Sequence, residues 1–290
     1  MNQSSVLFDL PGPRARRRNA VIGALTVLVI VALIAFVIYR FYATGQFEPI
    51  RWEQFQYTAV QRELLNGLLA TLRAAGLGAV LALAFGAVFA AARLSDRAYV
   101  RAPATFVVEL FRAIPLLILI FFFYYGPLQF GSRLPALWAL VFGLTLYNGS
   151  VLAEIFRAGI NAIPRGQSEG AYAIGLGKSQ VLRLIMLPQA FRAMLPAIVS
   201  QLVVLLKDTA LGFVITYPEL LYAGRAVGGR LPFRLPYVPS YLVVAAIYIA
   251  ICGALSFFAW WLQRRLNRQG RSSGVVLPAQ DATGEAAHAV

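Results

Sequence analysis

Residues 170–179 read GAYAIGLGKS and end in the Gly-Lys-Ser of a phosphate-binding loop. That loop turns its backbone N–H groups inward round a phosphate and needs the spacing G-x-x-x-x-G-K-[ST]. With Gly177, Lys178 and Ser179 as its end, the first glycine belongs at position 172, which is Tyr172. No strand pattern precedes the glycines and no Walker-B-like strand follows elsewhere, so the stretch is not a nucleotide cradle. The other groups with chemical potential are charges set in apolar runs. On insertion scales such a charge costs about 2.5–3.5 kcal/mol at a helix centre, which makes each a candidate for function. Arg73 stands alone, either as a partner for a carboxylate or as a structural contact. Glu109 and Arg112 are spaced i,i+3, and Glu154 and Arg157 repeat that spacing, so each pair can meet on one helix face. These pairs either stabilise helix ends or line a gate. Lys207 and Asp208 are adjacent, with Thr209 next. Neighbours on a helix point about 100° apart, so the two charges do not simply neutralise each other. They are candidates for function or for an ion pair between helices. Cys252 lies in an apolar run and His288, the one histidine, in the C-terminal tail. That excludes a disulfide framework, a Cys-rich metal site and most histidine-based catalysis, and no catalytic or metal-ligating set is assigned.

The elements that must hold these groups are membrane helices. Of 290 residues, 59% are hydrophobic and 13% charged, against about 25% charged in soluble domains. Runs near the ~20 residues that cross a bilayer occur at 19–42, 64–92, 105–125, 136–156, 196–216 and 240–262. The first is too long and wrongly flanked for a cleaved signal peptide. The second is rich in Gly and Ala, which let helices approach closely. Arg14, Arg16, Arg17 and Arg18 precede the first span and place the N-terminus in the cytoplasm. The same orientation puts Arg93, Arg97, Arg101, the segment 157–192 and Arg264, Arg265, Arg268 and Arg271 inside. Outer loops carry Arg51, Arg225, Arg230 and Arg234, partly balanced by Glu48, Glu53 and Glu219. The net charge of +14 is therefore a topology signal rather than a nucleic-acid surface. Residues 1–18 and 270–290 read as cytoplasmic mobile tails, and no stretch is long enough for a soluble ATPase or ligand-binding domain.

Between the fourth and fifth spans, 157–195 is too long for a structureless loop. Ser168 can cap a helix whose first turn carries Glu169. Gly175 and Gly177 then break or bend it, a second short helix follows from Ser179, and Pro188 ends or kinks that one.

EGAYAIG followed by nine residues and IMLP, Glu169 to Pro188, resembles the E-A-A-x-x-x-G-x(9)-I-x-L-P signature of ABC importer permeases; Gly170 replaces the second Ala. IPRGQ (163–167) and AEIFRAGI (153–160) are similar to the same family. FRAIPLL (111–117) resembles its R-G-x-P-L-L motif, with Ala113 for Gly. LLKDTAL (205–211) resembles the K-D-[TS]-[SA]-L motif of the polar amino acid branch, and YPELL (217–221) follows. The resemblance covers about residues 60–266.

It implies an all-α integral membrane protein with six transmembrane helices. Five form a type I importer permease core over 60–266, the helix at 19–42 is an addition, and 163–190 is the coupling segment, which carries a cytoplasmic coupling helix. The implied function is the permease subunit of an ATP-driven importer of polar amino acids, with glutamate a candidate solute, working by alternating access. ATP–Mg then belongs to separate cytoplasmic ATPase subunits, two per complex, and this chain is no enzyme and binds no cofactor. A second permease, identical or related, an extracytoplasmic amino acid binding protein and membrane lipid are the other partners; nucleic acid is not one. The implied location is a bacterial plasma (inner) membrane, multi-pass, with both termini cytoplasmic. The ATPase-docking surface falls on Glu169, Gly170, Ala171, Gly175, Lys178, Arg183 and Pro188. Arg73, Lys207, Asp208 and Thr209 are the substrate-path candidates. An ion-coupled secondary amino acid transporter is the alternative, although it predicts internal repeats that the sequence lacks.

Overall fold

The structure, a computed structural model, describes residues 12–270, with side chains to Arg265. The tail expected over 270–290, most of the tail expected over 1–18, and His288 lie outside these residues. Every regular element among them is helical and none is a strand, as the all-α membrane class requires.

Helix α1, Pro13–Ala43, starts six residues earlier than the expected 19–42, because Pro13 presets a helical φ in the first turn. Its most apolar window has a mean hydropathy of 3.2 and none of it is buried. A helix apolar on every side and unpacked takes lipid as its solvent. A short α2, Pro49–Glu53, follows. The compact unit that contains the residues up to Leu64 also includes Gly224–Val243. Polar contacts join the two segments: Arg230 to Glu63 at 2.5 Å, Arg234 to Glu48 at 2.8 Å, and Gln54 Nε2 donating to Ser240 Oγ at 3.4 Å.

The second unit, Leu65–Ala223 with the described residues from Val244 onward, carries the candidate site. It contains most of α3 (Thr58–Arg93), then α4 (Ala98–Ala113), α5 (Leu116–Tyr125) and α6 (Ala136–Asn161). Two short helices follow, α7 (Arg165–Ala173) and α8 (Lys178–Gln180), then α9 (Leu187–Asp208), the start of α10 (Leu220–Gly228) and most of α11 (Tyr237–Gly270). Helix α6 is the central one, with Leu140, Leu144 and Leu152 wholly buried. The small residues of α3 let it lie almost backbone to backbone on α6. A Cβ on Gly86 would meet the Leu152 Cβ at 2.9 Å and the Gly149 carbonyl at 3.1 Å, and one on Gly149 would meet Phe85 Cδ1 at 2.8 Å.

Among the described residues, five helical stretches are long and apolar enough to span a membrane, or six when a bent pair counts as one. The bent pair corrects the third expected span. Residues 105–125 do not form one helix: α4 and α5 meet at 96°. Pro115 lacks a backbone N–H and drives Ile114 into an extended conformation, φ −85°, ψ 125°.

Candidate functional site

Helix α7 begins on Pro164, which stands at its N-cap position. Ser168 is therefore not the cap expected of it: it lies inside α7 and its Oγ donates to the Arg165 carbonyl at 2.8 Å. A better start four residues earlier, Pro164 with its fixed φ, decides this. The far end matches the sequence in detail. Gly175 has φ +84°, its N–H donates to Tyr172 O at 2.9 Å, and Leu176 N–H donates to Ala171 O at 3.2 Å. These two bonds are the Schellman closure of a helix, which favours glycine at the left-handed position. Nothing lies within 4 Å of where a Gly175 side chain would begin, so conformation alone selects the glycine. Gly177 then opens α8, its N–H held by Gln180 Oε1 at 2.9 Å.

The second short helix does not end at Pro188. From α8 the chain passes through a wide π-helical turn, Val181–Met186, into α9, with Pro188 in the first turn of that helix. One continuous helical stretch runs Lys178–Ile215 and absorbs the fifth span expected over 196–216. Proline takes away the N–H that the preceding turn would use, and widening that turn accommodates the loss.

Of the expected docking residues, Glu169, Gly170, Gly175, Arg183 and Pro188 are exposed, whereas Ala171 is buried and helps seat α7 on the body of the protein. Lys178 pairs with Asp96 in the α3–α4 connection. That hydrogen bond and the charge of Lys178 hold the Asp96 carboxyl below its ordinary range. Sequence reasoning passed over two apolar neighbours: Tyr172 is half exposed and Ile174 is 78% exposed. Both occupy unspecified positions of the signature, so no motif letter singles them out.

The two expected carboxylate–arginine pairs merge into one cluster. Arg93, at the end of α3, donates from Nη1 to Glu154 Oε2 at 2.8 Å and from Nη2 to Glu109 Oε1 at 3.3 Å. Arg112 lies 3.5 Å from Glu109 and 3.9 Å from Glu154, and Arg157 also pairs with Glu154. The Arg93 side chain is only 7% exposed. It ties α3 to α4 and α6, a role invisible in sequence because its partners are 16 and 61 residues away.

The remaining candidates do not converge. Arg73 is exposed on α3, with the Tyr217 ring system in its electrostatic reach. Asp208 turns toward α6, where Asn148 Nδ2 donates to it at 3.5 Å and Gln201 Nε2 donates to Asn148 Oδ1 at 2.7 Å. Lys207 instead lines a groove of about 310 Å³ between α9 and α11, walled by Val203, Val204, Ser256 and Trp260. Thr209 is wholly buried and donates to Leu206 O at 2.6 Å, so it serves the helix end. Glu219 is not a solvated outer-loop charge. It is wholly buried and accepts from Leu221 N–H and Tyr222 N–H at 2.7 Å each and from the Tyr248 hydroxyl at 2.8 Å. A carboxylate here caps α10 and meets the positive end of its dipole. No group of three or more potential metal ligands occurs among the described residues.

Known proteins are similar to this chain in sequence and fold. A glutamate transport system permease protein, GluD of Corynebacterium glutamicum, is 40% identical over 232 residues, 79% of this chain and 84% of its own length. A probable glutamine ABC transporter permease protein, GlnP of Bacillus subtilis, is 35% identical over 202 residues, 70% of this chain and 93% of its own. The crystal structure of an amino acid ABC transporter superposes with a TM-score of 0.66 at 29% identity, covering 74% of this chain and 97% of that one. Residues 59–268 match the family described as the binding-protein-dependent transport system inner membrane component. The alternative of an ion-coupled secondary transporter falls with that match, and the chain belongs to this family, the inner-membrane permease subunits of ABC importers.

Proposed function

We propose that this permease imports polar amino acids, with L-glutamate the first to test, and that α7 and α8 form the seat of a separate ATPase that binds ATP–Mg. The observation that carries the docking reading is the exposed apolar end of α7, where Ile174 and Tyr172 face solvent beside Glu169, on a helix closed rigidly by Gly175. Large apolar side chains left in water beside charged ones mark a surface that a partner covers. In this reading 163–190 is the coupling segment, 60–266 the permease core and α1 an added membrane helix. Both termini are cytoplasmic, because the basic residues gather at the ends that this orientation places inside. Two ATPases, a second permease and an extracytoplasmic binding protein complete the importer. Glutamate is favoured by the relatives' substrates and by two cations, Arg73 and Lys207, that can receive carboxylates.

The test is reconstitution of the complete importer in proteoliposomes. Uptake of labelled L-glutamate should require ATP and stop with vanadate, and Glu169→Arg should lose the copurifying ATPase. Uptake driven by an ion gradient without ATP would refute the reading.

A further inference from the structure

Helices α3 and α4 are joined by four residues, Leu94 to Arg97, and this connector is held at both ends. On one side Asp96 pairs with Lys178 at the first turn of α8. On the other, three residues back, Arg93 bridges Glu109 on α4 and Glu154 on α6. The connector has little freedom of its own. Arg101 Nη1 donates to the Ser95 carbonyl at 3.1 Å, and the Ser95 Oγ accepts from Arg97 N–H at 3.3 Å.

The two ends differ in burial, and that difference argues for a role. The Lys178 and Asp96 side chains are 57% and 80% exposed, and a pair so open to water adds little to stability. The Arg93 end is buried and multiply bonded, so a shift there must rearrange charge-assisted hydrogen bonds whose strength depends steeply on geometry. An exposed link that joins a surface helix to a buried charge hub suits transmission of movement better than support of the fold.

We infer that Asp96 and Arg93 are positioning residues for coupling: displacement of α7–α8 is passed through Lys178 to Asp96, and by the short connector to Arg93, which sets α4 against α6. This rests on the reading of α7–α8 as the ATPase seat. It adds a second route to the direct covalent one, in which α8 runs on into α9.

The experiment uses the complete importer in proteoliposomes, with a labelled mixture of L-amino acids as probe, and measures uptake and ATP hydrolysis together. Asp96→Lys is expected to keep its copurifying ATPase and its thermal unfolding temperature while uptake per ATP falls about fivefold or more, the lower end of ordinary coupling effects. The conservative variant Asp96→Glu, which keeps a carboxylate facing Lys178, should hold that ratio to within about twofold of the parent. A purely structural role would not move the ratio at constant ATPase content. Asp96→Lys with an unchanged ratio overturns the inference, and so does an Asp96→Glu ratio that falls as far as that of Asp96→Lys. Glu169→Arg is run alongside. If it keeps the ATPase, the docking reading has failed; if it loses the ATPase while Asp96→Lys transports normally, only the relay has.

Discussion

At Gly175 the sequence and the structure agree for a reason that can be stated at one residue. Its φ of +84° costs an L side chain about 1–2 kcal/mol, and the space around it is open, so Gly175→Ala should strain the α7–α8 elbow without a clash. We expect that variant to weaken ATPase retention and Gly175→Asn to do so less, since asparagine tolerates the left-handed region; copurification yields check both. Arg93 is the opposite case, a residue defined by its neighbours. Arg93→Ala should lower stability by about 2 kcal/mol, less than the full cost of breaking a buried pair because Glu109 is more than half exposed. Thermal unfolding in detergent measures it. Asp96 sets the pH behaviour of the Lys178 link. Its pKa is lower folded than unfolded, so the link contributes above the unfolded value and is lost as pH falls through the folded one. The difference in uptake per ATP between the parent and Asp96→Asn should therefore be flat between about pH 6 and 8 and narrow only in acid.

Among the elements, the α3–α6 contact depends on two facing glycines. Gly149→Val puts atoms where Phe85 and the Ala82 carbonyl already stand and should destabilise the protein by about 1–3 kcal/mol, read as a lower unfolding temperature. The same mutation at Gly76, where nothing lies within 4 Å, should not. The prolines separate what is legible along a chain from what is not. Pro115 lies within an apolar run and bends it by 96°, whereas Pro188 lies where a stop or a kink was expected and the helix continues from a widened turn. Local rules give both residues the same missing N–H. The outcome depends on whether the preceding turn can widen, as 181–186 does, and packing decides that.

For the whole molecule, ATP-dependent, vanadate-sensitive uptake of L-glutamate is the expected outcome, and it stands apart from every residue-level prediction. The class of molecule was plain from hydropathy, since only helices satisfy their backbone inside a bilayer. The family followed from motif spacing, which local geometry preserves: a signature glycine must stand where a helix closes left-handed.

The sequence by itself therefore determined the helical membrane class, the spans set by apolar length, and the glycine elbow at 175, because each depends on residues close together in the chain. Only the tertiary structure decided that Glu109 and Glu154 share Arg93, that Lys178 holds Asp96, that Glu219 is a buried cap, and that Asp208 and Lys207 face different helices. Those facts depend on which helix faces meet. Helix contact in a membrane is set by close packing and interhelical hydrogen bonds rather than by hydropathy, and so leaves little trace in the pattern of a single chain.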